Sequence, residues 1–362
     1  MKPLDDTLLK EILDLFFSLV RIDSPSGSES GMREKLCALL DPIAGKGETD
    51  SAGNLKFFIP GTLPGPVRLF SSHMDTVEPG RNIQPELKDG IIRSNGETVL
   101  GADDKDGITA LIAALRRVHA GNVPHGPLEI LFTAGEERSL SGSAKLSPGW
   151  LKAQYAWVFD GPGTPGTIYR NGVGKTGFSI AVTGKAAHAG ICPEKGINAF
   201  MLMAEGLQNF PPGRLENATV NYGTVSGGQA DNIVPEKVCL TGEIRSRFPD
   251  RMKELTRKLE QAWTGLGKID FRSGYPPYEE NNKAFLSGTQ AVFESAGMHS
   301  FIKDFSAGSD ANHLARLGID VCLLAMGRSD NHTCMESTRP EHIQTMSDIA
   351  FRLMTKELKF NL

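Results

Sequence analysis

The stretch LEILFTAGEERSL, residues 128–140, begins as an apolar strand and ends in two adjacent acids. Apolar residues recur at every second position from Leu128 to Phe132, which is typical of one face of a buried strand. Glu136 and Glu137 follow within a few residues. Two like charges at the end of an apolar strand raise each other's pKa unless a cation offsets them. The stretch therefore indicates a strand that leads into a functional site.

The composition is that of a folded protein with two domains. The 362 residues exceed the ~100–200 that one domain usually takes. Hydrophobic residues make up 40% of the chain and 43 acids nearly balance 39 bases, which argues against disorder and against a nucleic-acid partner. The N-terminus has the spacing of an amphipathic helix rather than a signal peptide, and no apolar run approaches the ~18 residues of a membrane span. Five scattered cysteines are typical of a reduced, cytoplasmic protein.

The two ends of the chain alternate helical and strand patterns. Such alternation predicts an α/β domain with a mostly parallel sheet and flanking helices. The predicted helices are 4–20, 29–44, 106–119, 283–296 and 343–357, and the predicted strands are 66–72, 128–133, 155–159 and 320–325.

The middle of the chain follows a different pattern. Between residues 176 and 274 the predicted elements run β-α-β-β-α-β, which is the order of a ferredoxin-like α+β sandwich. We therefore expect residues 1–175 and 275–362 to form the α/β domain and residues 176–274 to form an inserted second domain.

Acidic and imidazole side chains recur where the predicted strands of the α/β domain end. The strand VRLFSS leads into His73 and Asp75, which an extended chain places on the same side. Asp103 precedes a helix, the strand YAWVF ends at Asp160, and His332 follows the strand VCLLAM. Because the carboxyl ends of parallel strands meet in one crevice, we expect these groups to lie close together.

This set of nitrogen and oxygen donors predicts a metal centre. It suits Zn²⁺ or a similar divalent ion better than Ca²⁺. Six groups are too many for one tetrahedral ion with an open position, whereas two ions about 3.5–4 Å apart, bridged by a carboxylate, would use them all. Taken singly, an aspartate after a strand is more often a turn or capping residue. The recurrence of such residues at several strand ends favours the metal site.

The motifs resemble those of the M20 family of zinc-dependent peptidases, especially its peptidase T-like branch. They occur in the family's order along nearly the whole chain: SSHMDTV, LGADDKDG, TAGEE, VFDGPG, GKAAHAG, GGQADNIVP, GEIRS, AGSDAN and GRSDNHT. The resemblance implies that His73 and Asp160 hold one zinc ion, that Glu137 and His332 hold the other, and that Asp103 bridges the two.

The resemblance also implies roles for residues that do not bind metal. Asp75 would orient His73, and Glu136 would be the general base. In the inserted domain, His188 would stabilise the oxyanion, often from the partner subunit, while Asn232 and Arg245 would contact the substrate. This domain would then act as a lid and as the contact surface of a homodimer.

The function that follows is dizinc-dependent cleavage of short peptides by a cytoplasmic aminopeptidase or tripeptidase, with manganese or cobalt as substitutes for zinc. Asp160 favours this activity, because acylases and carboxypeptidases of the family tend to carry Glu at that position. Two alternatives on the same fold are an N-acyl amino acid deacylase and a dipeptidase. A third is a metal-stabilised binding protein without catalysis, which predicts a missing ligand or base. We expect no nucleic-acid or membrane partner.

Overall fold

The computed structural model describes residues 6–356. Residues 4 and 5 of the first predicted helix and residue 357 of the last lie outside this range. The chain divides into two compact units. The first unit comprises Met1–Asn171, Glu279–Phe305 and Ser309–Leu362, and the second comprises Gly172–Tyr278 and Ser306–Gly308.

The secondary structure alternates between helices and strands in the first unit. The main elements of the second unit follow the pattern β-α-β-β-α-β, with one additional short strand, Gly213–Leu215. The helices are α1 (Asp6–Val20), α2 (Ser30–Ala44), α3 (Ala102–Ala120), α4 (Ala199–Asn209), α5 (Pro249–Ala262), α6 (Lys283–Ser295), α7 (Ala311–Arg316) and α8 (Pro340–Thr355). The strands are β1 (Glu48–Thr49), β2 (Leu55–Ile59), β3 (Arg68–His73), β4 (Glu86–Lys88), β5 (Ile91–Arg93), β6 (Leu128–Thr133), β7 (Tyr155–Gly161), β8 (Thr167–Tyr169), β9 (Asn171–Gly172), β10 (Gly174–Thr183), β11 (Gly213–Leu215), β12 (Ala218–Gly227), β13 (Lys237–Ser246), β14 (Lys268–Tyr275), β15 (Tyr278–Glu279), β16 (Phe301–Lys303), β17 (Asp320–Ala325) and β18 (Ser337–Thr338).

The first unit is built on an eight-stranded sheet in the order β1-β2-β6-β3-β7-β17-β8-β16. The strands β6, β3, β7 and β17 at its centre are parallel to one another, whereas β2 and β8 run antiparallel to their neighbours β6 and β17. Every residue of β3 and β6 is buried, as expected of central strands covered on both faces. The predicted α/β class with a mostly parallel sheet is confirmed.

Aromatic residues fill the space between the sheet and its helices. The Trp157 ring on β7 stacks on Phe70 of β3 with centroids 5.3 Å apart, and it lies 5.3 Å from the ring of Phe285 on α6. Its indole nitrogen donates a 2.9 Å hydrogen bond to the Thr289 hydroxyl, so the one polar atom of this buried side chain is satisfied. These contacts fix the parallel strands whose ends carry the predicted site.

The N-terminal helix α1 packs into the same core. Ile12, Phe16 and Leu19 recur at helical spacing and are fully buried, as the amphipathic pattern predicted. Among residues 6–356, no helix is both long enough and apolar enough to cross a membrane.

The second unit has its own sheet and core. Its strands lie antiparallel in the order β11-β12-β13-β10-β14, and omitting the short β11 leaves the strand order of a ferredoxin-like sandwich. Trp263 is fully buried and donates a 3.2 Å hydrogen bond to the Tyr222 hydroxyl. Gly206 on α4 packs against this indole so closely that a Cβ atom there would lie 2.6 Å from the ring. The assignment of this unit as a lid and dimerisation domain stays a prediction.

Candidate metal centre

The central strands bring the predicted ligands to one edge of the sheet. His73 is the last residue of β3 and pairs with Thr133, the last residue of β6, so the stretch that carries Glu136 and Glu137 begins beside it. Asp160 lies near the end of the neighbouring β7. The carboxyl edge of the parallel strands is thus the place where these side chains meet.

Asp103 lies between the two predicted histidine ligands. Its Oδ1 atom is 3.1 Å from His73 Nε2, and its Oδ2 atom is 3.3 Å from His332 Nε2. Each histidine has a second carboxylate beside it: Asp160 Oδ1 is 3.7 Å from His73 Nε2, and Glu137 Oε1 is 2.8 Å from His332 Nε2. The five predicted ligands therefore form two groups that share the Asp103 carboxylate.

The geometry of these donors fits divalent metal ions. Ligand atoms of His73, Asp103 and Glu137 lie within 4.8 Å of one another, and the same holds for His73, Asp104 and Asp160. Imidazole nitrogens and carboxylate oxygens at this spacing are the ligands that Zn²⁺ and related ions take in proteins.

Asp104 was not a predicted ligand, and its contacts give it a different role. One of its oxygens accepts hydrogen bonds from the Ser72 hydroxyl and, at 3.0 Å, from the His73 backbone N–H. Asp104 is fully buried and ties the end of β3 to the start of α3. Of the two adjacent aspartates, Asp103 is the one whose two oxygens face both histidines.

Asp75 contacts both the ring of His73 and the backbone of the two adjacent glutamates. Its Oδ1 atom lies 3.4 Å from His73 Nδ1 and accepts the Glu136 backbone N–H at 2.9 Å, while its Oδ2 atom accepts the Glu137 N–H at 3.2 Å. A carboxylate on the far nitrogen of a ligand histidine fixes the ring and its tautomer. The same carboxylate here also fixes the backbone of the adjacent glutamates.

The electrostatics of the cluster are those of a site with more carboxylates than cations. Hydrogen bonds to Asp103 and Glu137 raise the pKa of His332 to about 10. Burial lowers the pKa of His73, but its hydrogen bond to Asp103 helps to raise that pKa well above the usual value. Burial, reinforced by the charge of Asp103, raises the pKa of Asp160 well above its usual range. Metal binding would replace the protons that this cluster otherwise retains.

The backbone around the ligands is unusual in two places. His332 has φ +64°, in the left-handed region that residues other than glycine rarely adopt. The Asp103–Asp104 peptide bond is cis, and both residues depart from helical geometry within the first turn of α3. Non-glycine residues held at a positive φ, as His332 is, tend to lie at functional sites, where surrounding contacts fix them.

Sequence reasoning missed three residues that contact the centre. Arg328 is buried between acids, with Nη1 2.9 Å from Asp103 Oδ1 and Nη2 2.7 Å from Asp160 Oδ1. Asn331 Nδ2 donates to Asp103 Oδ2 at 2.8 Å. Glu336 accepts the Asp103 backbone N–H at 2.8 Å, and burial raises its pKa to about 7. All three follow β17, so the strand-end pattern that identified His332 could have identified Arg328.

The second unit holds the other predicted residues. His188 Nδ1 accepts the backbone N–H groups of Gly190 and Ile191, both at 3.2 Å. The carbonyl of Asn232 accepts the N–H of the residue that follows His188, so these two predicted residues lie on neighbouring segments. Arg245 on β13 is half-buried and is paired at 2.6 Å with Glu243.

Comparison with known proteins identifies the family. The model of peptidase family M20/M25/M40 matches residues 69–356. A Bacillus subtilis protein named YqjE is 30% identical over 97% of this chain and 99% of its own length. The crystal structure of the aminopeptidase PepT from Bacillus cereus is 30% identical, with a TM-score of 0.88 over 96% of this chain and 98% of that one.

A second solved structure agrees with the first. A tripeptidase from Staphylococcus aureus is 29% identical, with a TM-score of 0.88 over 96% of this chain and 98% of that one. The family match covers most of the chain, and both structures resemble it over nearly their full lengths. The chain therefore belongs to peptidase family M20/M25/M40, and it is a metallo-exopeptidase of the peptidase T-like branch.

Proposed function

We propose that this protein is a dizinc aminopeptidase that removes the N-terminal residue of short peptides. The observation that carries the proposal is the position of Asp103, whose two oxygens lie 3.1 and 3.3 Å from two different histidines. A carboxylate so placed suits a bridge between two ions. His73 and Asp160 would hold one ion with it, and Glu137 and His332 would hold the other.

The two ions would supply Lewis-acid chemistry, which activates water near neutral pH and polarises the peptide carbonyl. The chain supplies the proton transfer. Glu136 lies next to the ligand Glu137, and the backbone N–H groups of both are held by Asp75. We propose that Glu136 accepts the proton of the attacking water and then donates it to the leaving amine.

The electrostatic surroundings of Glu136 suit that role. Burial raises the pKa of its carboxyl well above the usual range, and the nearby charge of Asp160 adds to the increase. Positive charge bound beside it would lower that pKa and favour the ionised carboxylate that a general base requires. Glu137 has a different role in this proposal. Its Oε1 atom lies 2.8 Å from His332 Nε2, so it belongs with His332 to the ligands of the second ion.

His188 has a hydrogen-bonding pattern that fits an oxyanion donor. Because Nδ1 accepts two backbone N–H groups, the proton of the neutral ring is on Nε2, which leaves that nitrogen as a donor. We propose that His188 stabilises the developing oxyanion, that Asn232 and Arg245 bind the substrate, and that the second unit forms a homodimer contact.

The preference for a free N-terminus rests on charge and on the relatives. An α-amine is a cation, which a site rich in carboxylates can bind, whereas an acylated nitrogen carries no charge and needs an apolar pocket. The two solved structures reported above are described as an aminopeptidase and a tripeptidase. An N-acyl amino acid deacylase or a dipeptidase is the second candidate, since it would use the same metal ligands.

A panel of matched peptides tests this proposal. Di- and tripeptides with a free N-terminus and their N-acetylated counterparts are assayed with zinc, manganese or cobalt, and the products are identified by mass spectrometry. We expect cleavage of the first peptide bond in the free peptides and loss of most activity upon acetylation.

The Glu136→Gln protein, purified in the same way, controls for contaminating peptidases. Faster hydrolysis of the acetylated peptides would contradict the aminopeptidase proposal and favour the deacylase. Release of the C-terminal residue first would contradict it as well.

A further inference from the structure

Arg328 is a cation enclosed by the acids of the proposed metal centre. Its side chain has no exposed surface. The Nη1 atom is 2.9 Å from Asp103 Oδ1 and the Nη2 atom is 2.7 Å from Asp160 Oδ1. One guanidinium therefore spans two carboxylates that belong to the same proposed ion. The planar, rigid arrangement of donors in arginine suits such a double contact.

The same guanidinium also neutralises acids that have no proposed role in metal binding. Its Nη1 atom lies 3.2 Å from Asp104 Oδ1 and 3.4 Å from Asp106 Oδ1, and both of these aspartates are fully buried. Without Arg328, these carboxylates would repel Asp103 and Asp160 in a region with little solvent to screen the charge. Arg328 thus holds the two ligands in place against their neighbours.

Asn331 contacts the other side of the bridging carboxylate. Its Nδ2 atom donates to Asp103 Oδ2 at 2.8 Å, which is the oxygen that faces His332. Arg328 contacts Oδ1, which faces His73. Each oxygen of Asp103 therefore has one histidine and one further donor, and both donors come from the short segment that also carries His332.

We propose that Arg328 and Asn331 are positioning residues that clamp the bridging carboxylate, each controlling the affinity of a different ion. Arg328 controls the site formed by His73, and Asn331 controls the site formed by His332. The inference rests on the proposed dinuclear centre. Groups that orient metal ligands typically change affinity by about 10–100-fold when they are removed.

Zinc titrations of variants that retain only one of the two proposed metal sites test the clamp. His332→Ala leaves the His73 site, and His73→Ala leaves the His332 site. Arg328→Lys and Asn331→Ala are made in both backgrounds, and zinc affinity is measured against a competing chromogenic chelator. We expect Arg328→Lys to weaken zinc binding about 10–100-fold at the His73 site only, and Asn331→Ala to do so at the His332 site only.

Several controls separate positioning from general destabilisation. Arg328→Lys keeps the positive charge, so the buried acids remain compensated. Asn331 is partly exposed, so Asn331→Ala tests the clamp at a position where a substitution disturbs the core less. Arg339→Lys, at an exposed arginine that also follows β17 in the sequence, is the matched control and should leave both affinities unchanged. Circular dichroism and thermal unfolding in the presence of chelator report whether each variant is folded.

The outcomes also distinguish this inference from the proposed function. If the wild-type protein binds fewer than two ions, the dinuclear centre itself is wrong. If it binds two ions but neither variant changes its assigned site, the clamp is wrong and the centre stands. Tighter zinc binding in Arg328→Lys, or an equal effect of one variant on both sites, would also overturn the clamp.

Discussion

At the residue scale, neighbouring carboxylates of the proposed metal centre have similar burial but make different contacts. Asp103 and Asp104 are adjacent and both buried, yet Asp103 faces His73 and His332 while Asp104 accepts hydrogen bonds from Ser72 and the His73 backbone. The function of each acid is therefore determined by its partners and not by its chemical type.

The Asp103→Ala variant tests the bridging role. Because Asp103 belongs to both groups of ligands, its removal should lower the metal content from about two ions per chain and weaken both ions. Elemental analysis after dialysis against trace zinc measures this, with Asp106→Asn as a control at a buried acid that faces Arg328 instead. Full occupancy of one site in Asp103→Ala would contradict a bridge.

Much of this centre could be predicted from the sequence, because the rule that parallel strands end at a common edge applies to His73, Asp160 and His332. Arg328 was missed because an arginine after a strand is ordinarily a solvated surface residue. Its burial depends on four acids that are far from it in the sequence. Three of them are on α3, namely Asp103, Asp104 and Asp106, and the fourth is Asp160. Its position after β17 marks Arg328 as a candidate, but no local pattern shows that it is buried among these acids.

At the element scale, the long buried strands and the amphipathic helices were predicted well, while short elements were not. Strand β17 has the predicted bounds, 320–325, and helix α8 begins three residues before the predicted position because Pro340 is accommodated in the first turn. The three-residue strands β8 and β16 are too short to show a periodic pattern. They exist because each pairs with a neighbour in the sheet.

The short helix α7 carries a histidine that makes stability depend on pH. Its His313 is 2% exposed, and among the described residues neither ring nitrogen has a hydrogen-bond partner. Burial and the charge of Arg316 lower its pKa to about 4. The unfolded chain, with a histidine pKa of about 6.5, binds more protons below that pH. The stability contribution present above pH 6.5 is therefore lost as the pH falls toward 4.

The His313→Leu variant tests this linkage. Between pH 7 and 4.5, the free energy of unfolding of the metal-free wild-type protein should fall by about 2 kcal/mol more than that of the variant. Urea unfolding in the presence of a chelator measures the difference, and His299→Leu, at an exposed histidine, is the control. Equal pH dependence in the wild-type and His313→Leu proteins would show that His313 does not titrate in this way.

At the scale of the whole molecule, the two units divide the proposed chemistry. The first unit holds the proposed metal ligands and Glu136, while the second holds His188, Asn232 and Arg245. From a change in the order of helices and strands, the sequence predicts an inserted domain at residues 176–274, and its role as a lid stays a prediction. The homodimer is predicted from the family resemblance alone, because a contact between subunits depends on surface complementarity that one sequence does not encode in a local pattern.

His188→Ala tests the role proposed for the second unit. The variant should keep its bound metal but lose about 10²–10³ in kcat, which is the typical effect of removing an oxyanion donor. If His188 acts across a dimer, mixing the His188→Ala and Glu136→Gln proteins under conditions of subunit exchange should restore part of the activity. Unchanged turnover of His188→Ala would contradict the oxyanion role.

The most direct test of the central claim compares Glu136→Gln with Glu137→Gln on one free tripeptide, with metal content measured in the same samples. If the cluster is a dinuclear hydrolytic centre with Glu136 as its base, Glu136→Gln keeps both ions while kcat falls by about 10²–10⁴. Glu137→Gln should instead lose the ion at His332, its 2.8 Å neighbour. Loss of metal in Glu136→Gln, or the same behaviour in both variants, would contradict the account.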